Sequence, residues 1–311
     1  MNEPIRTLVV GAGAVGGYFG GRMLEAGGDV TFLVRPRRAK ELAESGLRIR
    51  SRLGDVTIAN PPATLSENLA GPYDLVLLSS KAYDLAEAME SFAPAVGPET
   101  AILPVLNGMR HIDILAGRFG AGSVLGGQCV IAATLNEQHE IVHLNELHAI
   151  SFGELDGTMS ERVQAIDGSM AGVRFDHRVS ANIVLEMWEK WAFLATLAGC
   201  TGLFRASVGD INSAPGGKDF MLALLEECCA IAAAAGYSPR DAFLERARGM
   251  LMTPDSPFTA SMLRDIEAGG RIEADHIIGD LLVRDRKPLL SIVYTALKAY
   301  EHRRSRAAAA R

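Results

Sequence analysis

Cysteine is scarce in this chain and placed without order. Cys129, Cys200, Cys228 and Cys229 form no C-x-x-C pair and have no histidine at ligand spacing. That pattern argues against a zinc site or a disulfide framework and for reduced, packed thiols, so no metal is expected. A basic excess is missing too. The chain holds 31 Lys and Arg against 37 Asp and Glu, a net charge of −6. Nucleic acid is therefore not the expected partner, because a phosphate-binding surface needs positive charge. Long apolar runs are absent from the opening MNEPIRTLVV, where a short run stops at glycine. It is too short for a signal core or a membrane span, so the expectation is a cytoplasmic protein without a membrane partner.

What is present is an ordinary globular composition, 48% hydrophobic and 22% charged over 311 residues. At roughly 100–200 residues per domain, two domains are expected. Short aliphatic runs at 6–10, 29–35, 73–81 and 100–108 alternate with helical patterns at 14–27, 37–46 and 82–96. Two later runs, 122–135 and 140–154, also read as strands. Strands alternating with helices imply βαβ units and a mostly parallel sheet. From about residue 180 every pattern is helical, beginning with SANIVLEMWEKWAFLATLAG. The expected architecture is an α/β Rossmann-type domain over 1–178 followed by an all-α domain over 179–311.

VVGAGAVGG, residues 9–17, follows a strand with side chains too small to pack. Gly11, Gly13 and Gly16 satisfy G-x-G-x-x-G between a strand and a helix. Gly11 allows the tight turn, Gly13 lets a pyrophosphate approach the backbone, and Gly16 allows close helix–strand packing. Gly11, Ala12, Gly13, Ala14, Val15 and Gly16 are the candidate cofactor loop, with phosphates at the helix N-terminus. A second absence selects the cofactor. An NAD site places Asp or Glu at the end of the second strand, yet no carboxylate lies between Asp29 and Glu41. Arg35 stands there instead, followed by Arg37 and Arg38. A guanidinium suits a 2′-phosphate, so NADP(H) is expected, against the plainer reading of a solvated basic helix start.

In the second half, Lys190 precedes eight residues without a charge. A lysine at such an edge needs a water-lined cleft or a partner, and Glu186, four residues earlier, is the ordinary surface alternative. Ser261 and Glu273 on one unbroken helix would lie about 18 Å apart along its axis. Gly269-Gly270 between them predicts a break that folds the second segment back. Taken alone, Glu273 reads first as an exposed helix-start carboxylate. His111 and His276 flank these motifs and receive no role.

With these blocks in view, the chain resembles the ketopantoate reductase family over nearly its whole length. The resemblance rests on GAGAVGGYFGGRM, on LVLLSSK ending in Lys81, on LPVLNGM with Asn107, on WEKWAFLA with Lys190, and on SMLRDIEAGGRIEADHIIG with Ser261 and Glu273. It implies NADPH-dependent reduction of a small 2-keto acid, first of all 2-dehydropantoate. Lys190 would be the general acid and Glu273 its catalytic partner. Asn107 and Ser261 would contact substrate or the nicotinamide side, and Lys81 would lie near the cofactor ribose. A homodimer is a further implication. Two departures stand out. Leu194 and Ala198 occupy places where such reductases often carry asparagines, leaving Thr196 and Thr201 as substitute donors, and the segment before Pro288 is short. The alternatives are a dehydrogenase of another 2-oxo or 2-hydroxy acid or of an imine, and a non-catalytic NADPH-binding protein.

Overall fold

The computed structural model describes residues 5–309. Two compact units are present: residues up to Leu106 with His111–Ile183, and Asn107–Arg110 with Val184–Arg311.

The first unit contains two sheets. Sheet A is formed by β1 (Thr7–Val10), β2 (Val30–Leu33), β5 (Ala63–Thr64), β6 (Leu75–Leu78) and β7 (Ala101–Pro104), in the order β5-β2-β1-β6-β7. All of its pairings are parallel. Helices α1 (Ala14–Glu25), α2 (Pro36–Ser45) and α3 (Leu85–Phe92) provide the crossovers. Every residue of β1 and β6 is buried, as expected for parallel strands covered on both faces. Chain order reverses at β1, and that switch point is where α/β sheets bind ligands. Val10 is in register with Leu33 and with Leu78. Gly11, Arg35 and the Ser79–Lys81 segment therefore leave the sheet at one edge.

Sheet B is foretold only in part, through the two runs at 122–135 and 140–154. It joins β3 (Leu47–Arg50), β4 (Val56–Ile58), β8 (Leu125–Leu135), β9 (Ile141–Glu154) and β10 (Asp176–Val179). Here β8 and β9 form a long antiparallel hairpin, and β3 pairs with β4 antiparallel. The parallel expectation thus holds throughout sheet A, whereas sheet B is mixed, with β3 and β10 each pairing parallel to β9. Helix α4 (Arg110–Phe119) precedes the hairpin and α5 (Glu161–Ser169) follows it.

Tyr18 of α1 is fully buried and its hydroxyl meets His148 Nδ1 on β9 at 2.7 Å. Burial lowers the His148 pKa below its ordinary 6.5, with the neighbouring His143 acting in the same direction. A histidine held neutral in the fold takes up its proton first in the unfolded chain. Its contribution is complete above pH 6.5 and is lost progressively as the pH falls from that value through the lower pKa of the folded state. Urea midpoints are expected to drop between pH 7.5 and 5.5, with a shallower drop in His148→Gln.

The second unit is helical: α6 (Ile183–Phe204), α7 (Val208–Ser213), α8 (Gly217–Ala234), α9 (Asp241–Leu251), α10 (Ser261–Glu267), α11 (Asp280–Arg284) and α12 (Pro288–Ala309). A π-helical turn, Asp275–Gly279, leads into α11. The short segment before Pro288 is accommodated by Glu227 of α8. Its carboxylate accepts from the Leu289 and Leu290 backbone amides at 3.0 and 2.9 Å, capping α12. Among the described residues, no helix is long and apolar enough to cross a membrane.

Candidate active site

The glycine turn has three distinct demands, and each glycine meets one. Gly11 sits at φ +92°, a left-handed conformation that favours glycine. A Cβ on Gly16 would lie 2.2 Å from the Gly11 carbonyl oxygen and 2.2 Å from Ser79 Oγ. A Cβ on Gly13 would meet nothing within 4 Å. Packing therefore requires Gly16 to be bare, whereas nothing in the protein itself requires it of Gly13. Gly13 is also the N-cap of α1, and the first turn of that helix carries no acidic residue. Its leading N–H groups thus face outward with a partial positive charge and no capping side chain. This is a fit for a pyrophosphate lying along the main chain.

Two polar contacts hold the turn in shape. Ser79 Oγ donates to the Val10 carbonyl at 2.9 Å. Arg38 Nε donates to the Ala12 carbonyl at 3.0 Å, and its Nη1 reaches Glu41 at 3.1 Å. Only 15% of the Arg38 side chain is exposed. The sequence marks Arg38 merely as basic; its reach back to the loop comes from the packing of α2.

Arg35, the N-cap of α2, is 60% exposed. Its guanidinium holds Glu87 through two bonds of 3.1 and 2.7 Å, and Asp84 lies at 3.3 Å. A 2′-phosphate at this position would share the guanidinium with those carboxylates. Lys81 is exposed where β6 gives way to the turn Ala82–Asp84, the turn that supplies Asp84.

Lys190, Glu273, Ser261 and Asn107 all fall in the helical unit. Lys190 is half-buried on α6, beside Trp191, which is 1% exposed. Glu189, on the other side, is nearly buried and held by Arg240 through contacts of 2.9 and 2.5 Å. Ser261 is exposed at the first position of α10. After α10 the Gly269 amide donates to Ile266 at 3.0 Å and the Gly270 amide to Asp265 at 2.7 Å, with Gly269 at φ +66°. This is the helix-ending pattern that the glycine pair predicts, and the chain does not continue along the α10 axis. Glu273, half-buried, stands just before the π turn, where its carbonyl accepts from the Ile277 amide at 2.9 Å.

Thr196 and Thr201 do not substitute for the missing asparagines. Both are fully buried, and their hydroxyls donate to Ala192 and Leu197 of their own helix at 2.8 and 2.7 Å. One and two turns beyond Lys190 the helix offers Leu194 and Ala198. That stripe is apolar.

The sequence matches the family model described as ketopantoate reductase PanE/ApbA over residues 7–157, and the model of its C-terminal domain over 182–301. It is 39% identical over 303 residues to the uncharacterized oxidoreductase YkpB of Bacillus subtilis (strain 168), covering 96% of this chain and 99% of that protein. The structure is similar to that of 2-dehydropantoate 2-reductase from Methylococcus capsulatus, with TM-score 0.84 and 28% identity over 97% of this chain and 98% of that one. It also resembles D-mandelate dehydrogenase determined with NADH and anilino(oxo)acetate, with TM-score 0.85 and coverage of 96% and 99%. At 18% identity that last likeness concerns the fold alone.

Proposed function

The chain belongs to the ketopantoate reductase family of dinucleotide-binding oxidoreductases, and from that premise we propose that it reduces a small 2-keto acid with NADPH. The first candidate substrate is 2-dehydropantoate, and the compartment is the cytoplasm. The observation that carries this reading is the bare, acid-free start of α1, where Gly13 leaves open space that packing does not demand.

When bound, the reduced nicotinamide supplies the hydride. The roles of the chain's own residues follow from their chemistry. The Lys190 ammonium donates a proton to the keto oxygen as negative charge develops there. A cation at that atom stabilises charge that exists chiefly in the transition state. Glu273 holds the substrate and orients the reacting oxygen, and Asn107 and Ser261 provide polar contacts to it. The Gly11–Gly16 turn carries the pyrophosphate, with Lys81 toward the ribose. Arg35 discriminates in favour of the 2′-phosphate.

Arg35→Ala is expected to raise the KM for NADPH by about ten- to a hundredfold, the worth of charge-assisted hydrogen bonds, with little change for NADH. Equal effects on both cofactors would remove the NADP assignment.

A second reading is favoured by the apolar stripe of Leu194 and Ala198. The single hydroxyl of 2-dehydropantoate against it would go without a partner, at about 1–3 kcal/mol. An oxo acid with a hydrocarbon body has no such group. The deciding experiment follows NADPH oxidation with 2-dehydropantoate, 2-oxoisovalerate and phenylglyoxylate, with NADH as control. Turnover of 2-dehydropantoate at the highest kcat/KM supports the first reading. Preference for either hydrocarbon acid supports the second, and no turnover of any ends both.

A further inference from the structure

His276 carries no role in the reaction described above, yet it is 92% buried beside the residues that do. Its Nε2 lies 2.6 Å from the Asn107 carbonyl oxygen. A carbonyl only accepts, so the ring nitrogen is the donor and the Nε2–H tautomer is the one present. The close fit is prepared from the other side. Gly108 sits at φ +80°, and a Cβ there would lie 3.1 Å from His276 Nε2 and 3.3 Å from its carbonyl oxygen. The backbone at Asn107-Gly108 is thus bare where the imidazole lies against it.

The segment carrying His276 is itself fixed at three further points. The Trp191 indole donates to the Ile277 carbonyl at 2.9 Å, linking the turn to the residue next to Lys190. Tyr294 of α12 donates to Asp275 at 2.6 Å, and Lys298 reaches the same carboxylate at 3.0 Å. Glu273 precedes the turn by two residues and is bonded into it through its carbonyl. Widened π turns of this kind occur often at functional sites, where they re-aim side chains at the cost of regular helix bonding.

From this geometry we infer that His276 is a positioning residue, whose Nε2–H holds the Asn107 backbone and so sets the Asn107 side chain in the same frame as Lys190 and Glu273. The division of the chain agrees with this: Asn107–Arg110 groups with the helical unit, although the residues on both sides of it in sequence belong to the other. Burial lowers the pKa of His276 below its ordinary 6.5, against the pull of Glu273, so the ring is neutral at neutral pH and keeps a single N–H. It directs that one proton to a main-chain oxygen, which suits a strut rather than a proton relay.

As a statement about substrate contact this rests on the keto-acid reading above; as a statement about the backbone it does not. The test therefore has two arms. In the kinetic arm, His276→Leu is expected to raise the KM for the keto acid by about tenfold, the worth of one hydrogen bond, while the Kd for NADPH stays within about twofold. His276→Gln, whose amide nitrogen reaches where Nε2 does, restores KM to within about threefold of the wild type. Asn107→Ala gives a loss of similar size, and the double variant H276L/N107A loses no more than N107A alone, because the strut has nothing left to aim. Additive losses, or wild-type kinetics in H276L, overturn the proposal. In the second arm, amide hydrogen exchange in the ligand-free chain is expected to quicken by about tenfold over residues 107–110 in H276L and not in H276Q. Should the wild type reduce no 2-keto acid, the functional reading fails while this arm still decides the strut, and unchanged exchange overturns it. His276→Asn, which keeps a donor but is too short to reach, replaces H276L if that variant does not fold.

Discussion

Lys190→Ala lowers kcat by about a hundred- to ten-thousandfold, the range that a positioned general acid contributes, while NADPH binds as before. The prediction is sharp because the proposed cofactor loop and the proposed acid lie in different parts of the chain. The glycine turn lies in the first unit and Lys190 in the second. Lys190 is half-buried, so its loss removes a charge without opening a core cavity. The thermal midpoint is expected to move little. Single-turnover NADPH oxidation and a fluorescence titration of NADPH measure the two quantities separately. Activity within tenfold of the wild type would show that another group supplies the proton. Loss of NADPH affinity in parallel would show that Lys190 acts in binding.

Gly16→Ala and Gly13→Ala are expected to fail in opposite ways. A methyl group on Gly16 meets a backbone carbonyl at 2.2 Å, and a backbone atom cannot rotate aside. The first turn of α1 must shift, at a cost of about 1–3 kcal/mol or more, and the unfolding midpoint falls. NADPH binding falls with it, because the helix start and the loop move together. A methyl group on Gly13 meets no protein atom, and its φ of −82° suits alanine. Gly13→Ala therefore folds to within about 1 kcal/mol of the wild type, the scale of an N-cap change. It still loses NADPH affinity, because the methyl occupies the space proposed for the pyrophosphate. Urea denaturation and NADPH titration on both variants check the contrast. Tight NADPH binding by Gly13→Ala would mean that the dinucleotide does not lie along this turn.

The parts of the site that were legible in sequence share one physical property: their cause is local. Gly11 and Gly16 reveal a turn because the steric reason for each lies within a few residues or in the adjoining strand, while Gly13 stands out by the open space it leaves. The glycine pair at 269 and 270 announces a helix end because a left-handed residue is needed there whatever the fold. The β3–β4 hairpin has an equally local cause. Leu47 and Ile49 alternate with Arg48 and Arg50, and Gly54 at φ +109° follows before β4. That period-two pattern is the signal for it.

Other features had no local cause. Arg38 reaches Ala12 across 26 residues, Trp191 reaches Ile277 across 86, and His276 reaches Asn107 across 169. Arg35 was legible as a cation at a strand end, but its engagement by Glu87 was not, since 52 residues separate the two. Thr196 and Thr201 could be read as donors toward a ligand until the helix itself took their protons.

The chain alone thus determined where a strand must stop, where a helix must start and end, and which residue types stand at those points, since backbone sterics and side-chain periodicity act over a few residues. The tertiary structure alone decided which hydrogen bonds those residues spend on one another. A buried donor takes whichever acceptor packing brings within about 3 Å, and no short-range rule of sequence chooses that acceptor.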